Sequence, residues 1–382
     1  MCIRDRFLYG SIHSDLIINI LCFIFKESKL KIVKYIILIL VIFVISLFVL
    51  SRVPAIQDRV VTNVIKNVLS NPVSLPDDGL SALVCGSRSP LPSPGRAETC
   101  IIIKAGQNLY VVDIGDGSIN NLRNWRIDLT PVKAVLFTHL HSDHISDLAD
   151  LHLNTWVNNP TKTEKLKVYG PEGVEDVVNG FEDAYTLDYQ FRNEHHGDKV
   201  APINLAGYET FTIDLSNPII IDDNGLKVTA FKVIHDPIEP ALGFRFDYKG
   251  RSIVISGDTI STENTIKNSI NADVLFHEAQ ANHIVKILEN ENKKIGNNLA
   301  AKIMADIVTY HTTPVEAAEI ANQANVKHLV FYHLTPAPRN TLMERMFVRG
   351  VNDIRKEWTL SDDGTLVILP PNSEKIEITK IN

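Results

Sequence analysis

The sequence feature that most constrains the fold is a cluster of histidines directly after a short apolar run. Residues 132–137 (VKAVLF) have the length and composition of a buried strand, and residues 138–144 (THLHSDH) follow at once. Three imidazoles and one carboxylate there are ligands that suit zinc, iron or manganese. Because α/β proteins place their sites at strand ends, the pattern predicts a metal site at a sheet edge. A polar loop with a chance histidine cluster is the competing interpretation.

The same cluster favours two metal ions over one, since a single ion seldom takes four ligands from so tight a turn. Two ions lie about 3.5–4 Å apart and need a bridging carboxylate. Three more candidate ligands each follow a predicted strand, and each alone could be an ordinary loop or turn residue. The full candidate set is His139, His141, Asp143, His144, His235, Asp258 and His333.

Strands and helices alternate along the rest of the chain in two successive halves. Predicted strands cover residues 80–85, 99–104, 109–114, 132–137, 167–169, 226–234, 241–248, 252–256, 274–276, 327–332 and 365–369. Predicted helices cover residues 145–157, a stretch from Pro171, and a segment ending near Gln323 that opens with the capping box Thr313 to Glu316. This alternation predicts a layered α/β domain over residues 80–382.

Composition limits the partners of this domain. The 382 residues are 45% hydrophobic and 22% charged, which excludes a disordered chain, and the net charge of −7 argues against a nucleic acid as the main partner. The four cysteines form no CxxC pair, so a thiolate zinc ribbon is excluded. Cys85 and Cys100 end the first predicted strand and begin the second. They could form a disulfide in an oxidising compartment or remain two buried thiols.

The N-terminal part predicts a membrane anchor. Residues 33–51 carry one charge, Lys34, and as a helix would span roughly 28 Å, close to the hydrocarbon core of a bilayer. Lysines precede the run and Arg52 follows it, so the positive-inside rule puts the rest of the chain outside the cytoplasm. A cleaved signal peptide is the alternative. We therefore expect an N-terminal extension outside the fold, a transmembrane anchor, a helical stalk and a periplasmic or otherwise extracytoplasmic hydrolase domain, at residues 1–32, 33–52, 53–79 and 80–382.

The motifs HLHSDH, VIH, SGDT, FHEA, YHTT and FYHLTP, in this order, resemble the metallo-β-lactamase fold. The resemblance spans residues 80–370 and is strongest to the branch of ribonuclease Z, metal-dependent arylsulfatases and phosphodiesterases. It implies a four-layer αββα sandwich with a dimetal site at one edge of the two sheets. In that family the first zinc ion would be held by His139, His141 and His235, and the second by Asp143, His144 and His333. Asp258 would bridge the two ions, and manganese or iron are alternatives to zinc.

The resemblance also implies roles for further residues. A hydroxide held between the metals would attack the substrate, and catalysis would involve Asp143 together with Glu278 and His311 of the HEA and HTT motifs. Asp113, in VVDIGDG, would orient a ligand. We also consider four substrate-contacting candidates that could equally be solvated loop residues: His195, His196, Arg96 and Arg339.

The interval between His235 and Asp258 bears on the substrate. Ribonuclease Z inserts a long tRNA-binding arm there, whereas here 22 residues separate the two and a predicted hairpin uses them. We therefore expect a small anionic ester, an aryl sulfate or a phosphodiester, as the substrate. RNA phosphodiester cleavage like that of ribonuclease Z, lactone or β-lactam hydrolysis, and a zinc-holding module without activity are the alternatives. Related enzymes are often dimers, so a homodimer is expected.

Overall fold

The computed structural model of the chain describes residues 31–70, 73, 75–76, 78–157 and 159–381. The predicted extension, residues 1–32, lies outside the described residues except for its last two. The chain divides into two compact units, Met1–Asn71 and Pro72–Asn382.

The described part of the first unit is two helices, α1 (Lys31–Leu50) and α2 (Pro54–Ser70). Within the described residues α1 is the one helix long and apolar enough to cross a membrane, and a signal sequence near the N-terminus would meet the same criteria. The helix α2 lies within the predicted stalk, residues 53–79. Pro54 opens that helix, where a missing N–H costs no intrahelical hydrogen bond.

The second unit contains two sheets and the helices that cover them. Its elements in chain order are β1 (Leu80–Gly86), β2 (Cys100–Ala105), β3 (Asn108–Val112), α3 (Ser118–Asn124), β4 (Val132–Leu136), α4 (Ser142–Ile145), α5 (Leu148–Trp156), β5 (Leu166–Gly170), α6 (Val174–His196), β6 (Tyr208–Thr212), β7 (Ile219–Asp223), β8 (Leu226–His235), β9 (Ile238–Tyr248), β10 (Arg251–Ile255), α7 (Glu263–Ser269), β11 (Val274–Gln280), α8 (Asn282–Lys294), α9 (Asn298–Asp306), α10 (Pro314–Gln323), β12 (His328–Thr335), α11 (Thr341–Phe347), α12 (Val351–Ile354), β13 (Trp358–Leu360), β14 (Thr365–Leu369) and β15 (Glu377–Lys380).

The strand order places the carboxyl ends of several strands at a common edge in each sheet. The first sheet has the order β15-β14-β1-β2-β3-β4-β5-β6 and is parallel from β3 to β6. The second has the order β13-β12-β11-β10-β9-β8-β7 and is parallel from β10 to β13. The predicted hairpin at Lys249-Gly250 is confirmed, with Tyr248 opposite Arg251. The predicted capping box of Thr313 and Glu316 is also present.

Three hydrophobic clusters show that the unit has four layers. The central cluster joins the two sheets, with Ile103 of β2 and Phe244 of β9 among its members. A second cluster packs the first sheet against α3, α5 and α6, and a third packs the other sheet against α8, α10, α11 and α12. The order helix, sheet, sheet, helix confirms the predicted αββα sandwich, in which each sheet buries both faces.

The region after β4 differs from its prediction. A single helix was expected over residues 145–157, but α4 begins at Ser142 and a break separates it from α5. The Asp147 N–H donates to the Ile114 carbonyl at 2.9 Å, and its carboxylate accepts from the Ile119 N–H at 3.1 Å. These long-range bonds interrupt the helix, and they hold the residues of α4 against the end of β3.

A disulfide joins Cys85 of β1 to Cys100 of β2, with their Cα atoms 5.0 Å apart. Of the two alternatives left open by the sequence, the structure therefore contains the disulfide. It closes the proline-rich loop of residues 87–99 at its base, beside the edge where the candidate ligands lie.

Candidate metal centre

The candidate ligands lie at the strand ends of both sheets. The loop after β4 carries His139 and His141, α4 carries Asp143 and His144, and the second sheet contributes His235 at the end of β8, Asp258 after β10 and His333 within β12. Six of the seven are almost fully buried; the exception is His141. The sandwich thus brings together residues that are up to 194 positions apart in sequence.

The backbone around the centre adopts conformations that ordinary residues avoid. Asp113 and His333 have φ angles of 56° and 45°, in the left-handed region. Gly257 has a φ of +63°, and a Cβ atom there would lie 2.3 Å from the Leu242 carbonyl oxygen. Such strained positions concentrate at functional sites, and only glycine fits beside Asp258.

Among the described residues, five groups of three side chains bring their ligand atoms within 4.8 Å of one another, and two of these groups correspond to the predicted division of ligands. The members are His139, His141 and His235 in one group, and Asp143, His144 and His333 in the other. The same division follows from the family resemblance. Each group could hold one metal ion.

Asp258 lies between the two groups. Its Oδ2 is 4.0 Å from Nε2 of both His139 and His235, 3.6 Å from Nε2 of His144 and 3.2 Å from Nε2 of His333. One carboxylate therefore faces imidazoles from both groups, which is the arrangement that a bridging ligand requires.

Hydrogen bonds behind the cluster orient its rings. Asp113 is fully buried, and its Oδ2 lies 2.9 Å from His144 Nδ1. The Thr138 N–H and hydroxyl both donate to Asp113 at 2.8 Å, and the Tyr310 carbonyl lies 3.1 Å from His235 Nδ1. When Nδ1 donates, Nε2 carries the lone pair that a metal needs, so these contacts select the tautomer suited to metal binding. The predicted orienting role of Asp113 matches this geometry.

The electrostatic environment favours a bound cation. Burial lowers the pKa of His139 well below its usual value and also lowers the pKa of His141 and His235, so these rings are neutral. Burial alone would raise the pKa of Asp143, but the neighbouring His144 and His333 lower it to about 2. Burial opposes the charge on His144 too, yet the surrounding carboxylates raise its pKa. The same negative field attracts a metal ion.

Three polar atoms of the candidate ligands are buried without a hydrogen-bond partner. They are His144 Nε2, Asp258 Oδ1 and His333 Nδ1. Leaving such atoms unsatisfied costs roughly 1–3 kcal/mol each. The donor chemistry, neutral imidazole with ionised carboxylate, therefore fits the metal ions that the sequence predicts.

His311 and Glu278 form a separate pair beside the ligands. Glu278 is fully buried, and its Oε1 lies 2.9 Å from His311 Nδ1 and accepts from the Thr312 N–H at 3.1 Å. Burial lowers the pKa of His311, but the Glu278 carboxylate outweighs it and the net shift is upward. Since Nδ1 faces Glu278, Nε2 is the nitrogen available for proton transfer.

A cavity of about 190 Å³, which we name the metal-side cavity, borders the candidate ligands and His311. His141, Asp143, His235, Asp258, His311 and His333 line one side, whereas Glu278 is not among the lining residues. Glu278 lies behind His311 instead, and its role in catalysis stays a prediction. The other lining residues come from the proline-rich loop, from residues 303–310 and from the end of β12, and the sequence did not single out the first two as walls of the site: Ser89, Pro90 and Leu91; Ile303, Ile307 and Tyr310; Thr335. The spacing of the isoleucines, four residues apart in an amphipathic segment, was the available signal.

The four other substrate candidates do not line this cavity. His195 and His196 are exposed at the end of α6. Arg339 donates to the Pro92 carbonyl at 2.8 Å, and Arg96 donates to the Ser87 hydroxyl at 2.7 Å and the Ser361 carbonyl at 3.0 Å. Both guanidinium groups are engaged in hydrogen bonds away from the candidate ligands, that of Arg339 with the proline-rich loop and that of Arg96 with Ser87 and Ser361.

Known proteins resemble this chain in both sequence and fold. Residues 111–334 match the Beta-lactamase superfamily domain. The chain is 32% identical over 259 residues to a protein named Ribonuclease Z from Mycobacterium bovis BCG, a match covering 68% of this chain and 87% of that one. The short form of human tRNase Z shares the fold with a TM-score of 0.53 and 21% identity, over 76% of this chain and 99% of that one. Zn²⁺-bound PqqB from Methylobacterium extorquens does so with a TM-score of 0.50 and 16% identity, over 76% and 100%.

Proposed function

Because this chain belongs to the beta-lactamase superfamily and is a hydrolase of the metallo-β-lactamase fold, we propose that it cleaves small anionic esters at a dinuclear zinc centre. The observation that carries the proposal is the pair of three-residue groups on either side of Asp258. A structural zinc site closes all four positions of one ion, often with cysteine, whereas this arrangement contains no thiolate and borders a cavity. Zinc is the first choice because imidazole dominates the donor set; manganese and iron suit the same donors.

The chain's own residues divide the chemical work. Bound zinc would supply a nucleophile at neutral pH, by lowering the pKa of water, and would neutralise developing negative charge. Asp113 holds the His144 ring in place, and Asp258 holds the two groups of ligands in register. Glu278 keeps a proton on His311 and aims the ring, so that His311 can protonate the leaving oxygen. A positioned acid of this kind contributes roughly 10²–10⁴ in rate.

A phosphodiester is the substrate bond we favour, with an aryl sulfate second. The relative with 32% identity is named for a nuclease, and nucleases cleave phosphodiesters. Sulfate esters share the tetrahedral anionic centre but lack support from a relative's name.

RNA is the second candidate substrate, because the 32% identity to a protein named Ribonuclease Z favours it. Two observations argue for a smaller substrate. The residues between His235 and Asp258 form β9 and β10, which leaves no room for an arm. No lysine or arginine is among the described residues that line the cavity, and RNA binding depends on cations that contact phosphates.

We also propose that α1 anchors the hydrolase outside the cytoplasm. The helix has the length and composition of a membrane span, and positive charges precede it. The disulfide between Cys85 and Cys100 supports this location, since disulfides persist in oxidising compartments.

The direct test compares three substrates on the full-length, zinc-supplemented chain in lipid nanodiscs. These are bis(4-nitrophenyl) phosphate, 4-nitrophenyl sulfate and a precursor tRNA with a 3′ extension. We expect turnover of the phosphodiester and two zinc ions per chain by mass spectrometry. The variant Asp258→Asn should lose both the turnover and the bound zinc. His311→Gln should lower kcat by about 100-fold or more while the zinc content stays unchanged.

His195→Gln is the matched control, because that histidine is exposed and distant in sequence from the ligands. It should keep wild-type zinc content and turnover. If only the precursor tRNA is cleaved efficiently, RNA and not a small ester is the substrate. Two bound zinc ions without turnover of any substrate would contradict the proposed hydrolase activity.

A further inference from the structure

A second, apolar cavity of about 450 Å³ borders the metal-side cavity. Its walls come from the proline-rich loop, from α8, α9 and α11, and from the segment after β12. The lining residues are Leu91, Pro92, Ile284, Leu288, Asn292, Met304, Pro336, Ala337, Arg339 and Met343. We name it the apolar groove. Two rim residues, Asn292 and Arg339, are its polar members, and the Arg339 guanidinium donates to the Pro92 carbonyl.

The two cavities share a wall. Leu91 lines both of them. At two other places consecutive residues face one cavity and then the other: Ile303 and Met304 on α9, and Thr335 and Pro336 after β12. The two cavities are therefore adjacent, with Leu91 between them.

The chemistry of the walls identifies what would occupy the groove. Among the residues that line the metal-side cavity, Leu91, Ile303 and Ile307 are apolar, and two of them, Leu91 and Ile303, lie at the boundary with the groove. Full burial of one methylene group there raises affinity by up to about fourfold. An uncharged alkyl or acyl chain matches this lining, because eight of the ten residues are apolar and the Arg339 guanidinium already donates to the Pro92 carbonyl.

We propose that the apolar groove binds the hydrocarbon tail of an amphiphilic ester whose anionic head is cleaved at the candidate metal centre. The proposal rests on the proposed function and specifies its substrate class. In the reaction, water adds to phosphorus, the bond from phosphorus to the leaving oxygen breaks, and the leaving group departs with a proton. The tail stays attached to the phosphate and takes no part in the bond changes.

The test uses the full-length, zinc-supplemented chain in nanodiscs with 4-nitrophenyl methyl phosphate and 4-nitrophenyl hexyl phosphate. The wild-type kcat/KM should be at least about 30-fold higher for the hexyl ester, which has five more methylene groups than the methyl ester. This ratio is smaller than full burial would give, at roughly fourfold for each methylene group. Leu288→Gln and Met343→Gln should each reduce this ratio to below about 5, because they place an amide in the groove. Leu299→Gln is the matched control: Leu299 is an 81% exposed leucine on α9 outside the groove, and the ratio should stay at the wild-type value.

Calorimetric titration with methyl phosphate and hexyl phosphate separates this proposal from the proposed function. Hexyl phosphate should bind at least about 10-fold more tightly to the wild type, and the preference should disappear in Leu288→Gln. If neither ester is hydrolysed but this preference holds, the proposed function fails and the groove stands. Equal binding of the two phosphates, or a preference that survives in both groove variants, would overturn the groove proposal, as would equal kcat/KM for the two esters in an active wild type.

Discussion

Asp113 does not line the cavity, yet the arrangement of the cluster depends on it. It is fully buried behind His144, with its carboxylate 2.9 Å from Nδ1 of that ring. The contact leaves Nε2 directed at Asp143 and Asp258, 3.5 and 3.6 Å away. A residue without any contact to substrate therefore determines the direction of a candidate ligand.

We expect Asp113→Asn to weaken zinc binding by about 10- to 100-fold, because an amide cannot stabilise the ring in the required tautomer as a carboxylate does. Competition against a chromophoric chelator measures the affinity directly. Asp116→Asn, an exposed carboxylate on the same loop, is the control and should bind zinc like the wild type. Unchanged affinity in Asp113→Asn would show that the ring is held by packing alone.

His152 predicts how stability depends on pH. The ring packs among Trp156, Tyr189 and Tyr208, and its Nε2 accepts the Gly207 N–H at 3.0 Å. Burial lowers its pKa to about 3. The unfolded chain takes up a proton below pH 6.5 while the folded chain does not, so this contribution to stability is complete above pH 6.5 and is lost as pH falls toward 3.

Between pH 7.5 and pH 5, His152 should therefore account for about 2 kcal/mol of lost stability. The glutamine side chain in the variant His152→Gln can still accept the Gly207 N–H and does not titrate, so the variant's free energy of unfolding should fall less over this interval. Urea unfolding at both pH values measures the difference, with His195→Gln as the exposed control. An identical pH dependence in wild type and His152→Gln would be inconsistent with a neutral buried ring.

At the scale of elements, the hairpin of β1 and β2 carries a covalent link. The disulfide joins Cys85 and Cys100 across a sequence separation of 15 residues, at the base of the loop that lines both cavities. Arg96 and Arg339 bind the same loop through hydrogen bonds. The loop is thus held at its base and along its length.

Replacing both cysteines by serine should lower the free energy of unfolding by about 3 kcal/mol, as chain entropy predicts for a loop of this length. Chemical denaturation of the variant and of the wild type measures the loss. Reductant should lower the stability of the wild type to that of the variant and leave the variant unchanged. A wild type that is insensitive to reductant under unfolding conditions would contradict the link.

At the scale of the whole molecule, the chain combines an apolar N-terminal helix with a hydrolase fold. In α1, apolar side chains cover every face of a 20-residue helix, which is typical of a membrane span and distinct from an amphipathic core helix. The hydrolase unit has hydrophobic clusters of its own, four of them within the described residues of 72–382.

We expect the full-length chain to stay in the membrane fraction after carbonate washing and a chain lacking residues 31–50 to leave it. Protease added to intact spheroplasts should digest the hydrolase unit, because positive charges before α1 favour a cytoplasmic N-terminus. A cytoplasmic protein serves as the control for intact cells. If the hydrolase unit is protected from the protease, the orientation is the opposite of the one proposed. A mature chain that starts after residue 50 would identify a cleaved signal peptide.

The sequence by itself determined the fold class, the alternation of strands and helices, and the seven candidate ligands. Local signals carry this information: an apolar run ends, and a cluster of histidine and aspartate follows, as at residues 132–144. The capping box at Thr313 and the hairpin turn at Lys249 are equally local, because each depends on residues within a few positions.

Only the tertiary structure decided which residues form the walls of the site. Leu91, Met304 and Met343 come from three separate segments, and nothing in their own neighbourhood relates one to another. The position of Glu278 behind His311, and of both arginines on the proline-rich loop, likewise depends on how the second sheet and its helices pack. Side-chain direction and burial follow from contacts between distant segments, and a local pattern does not contain them.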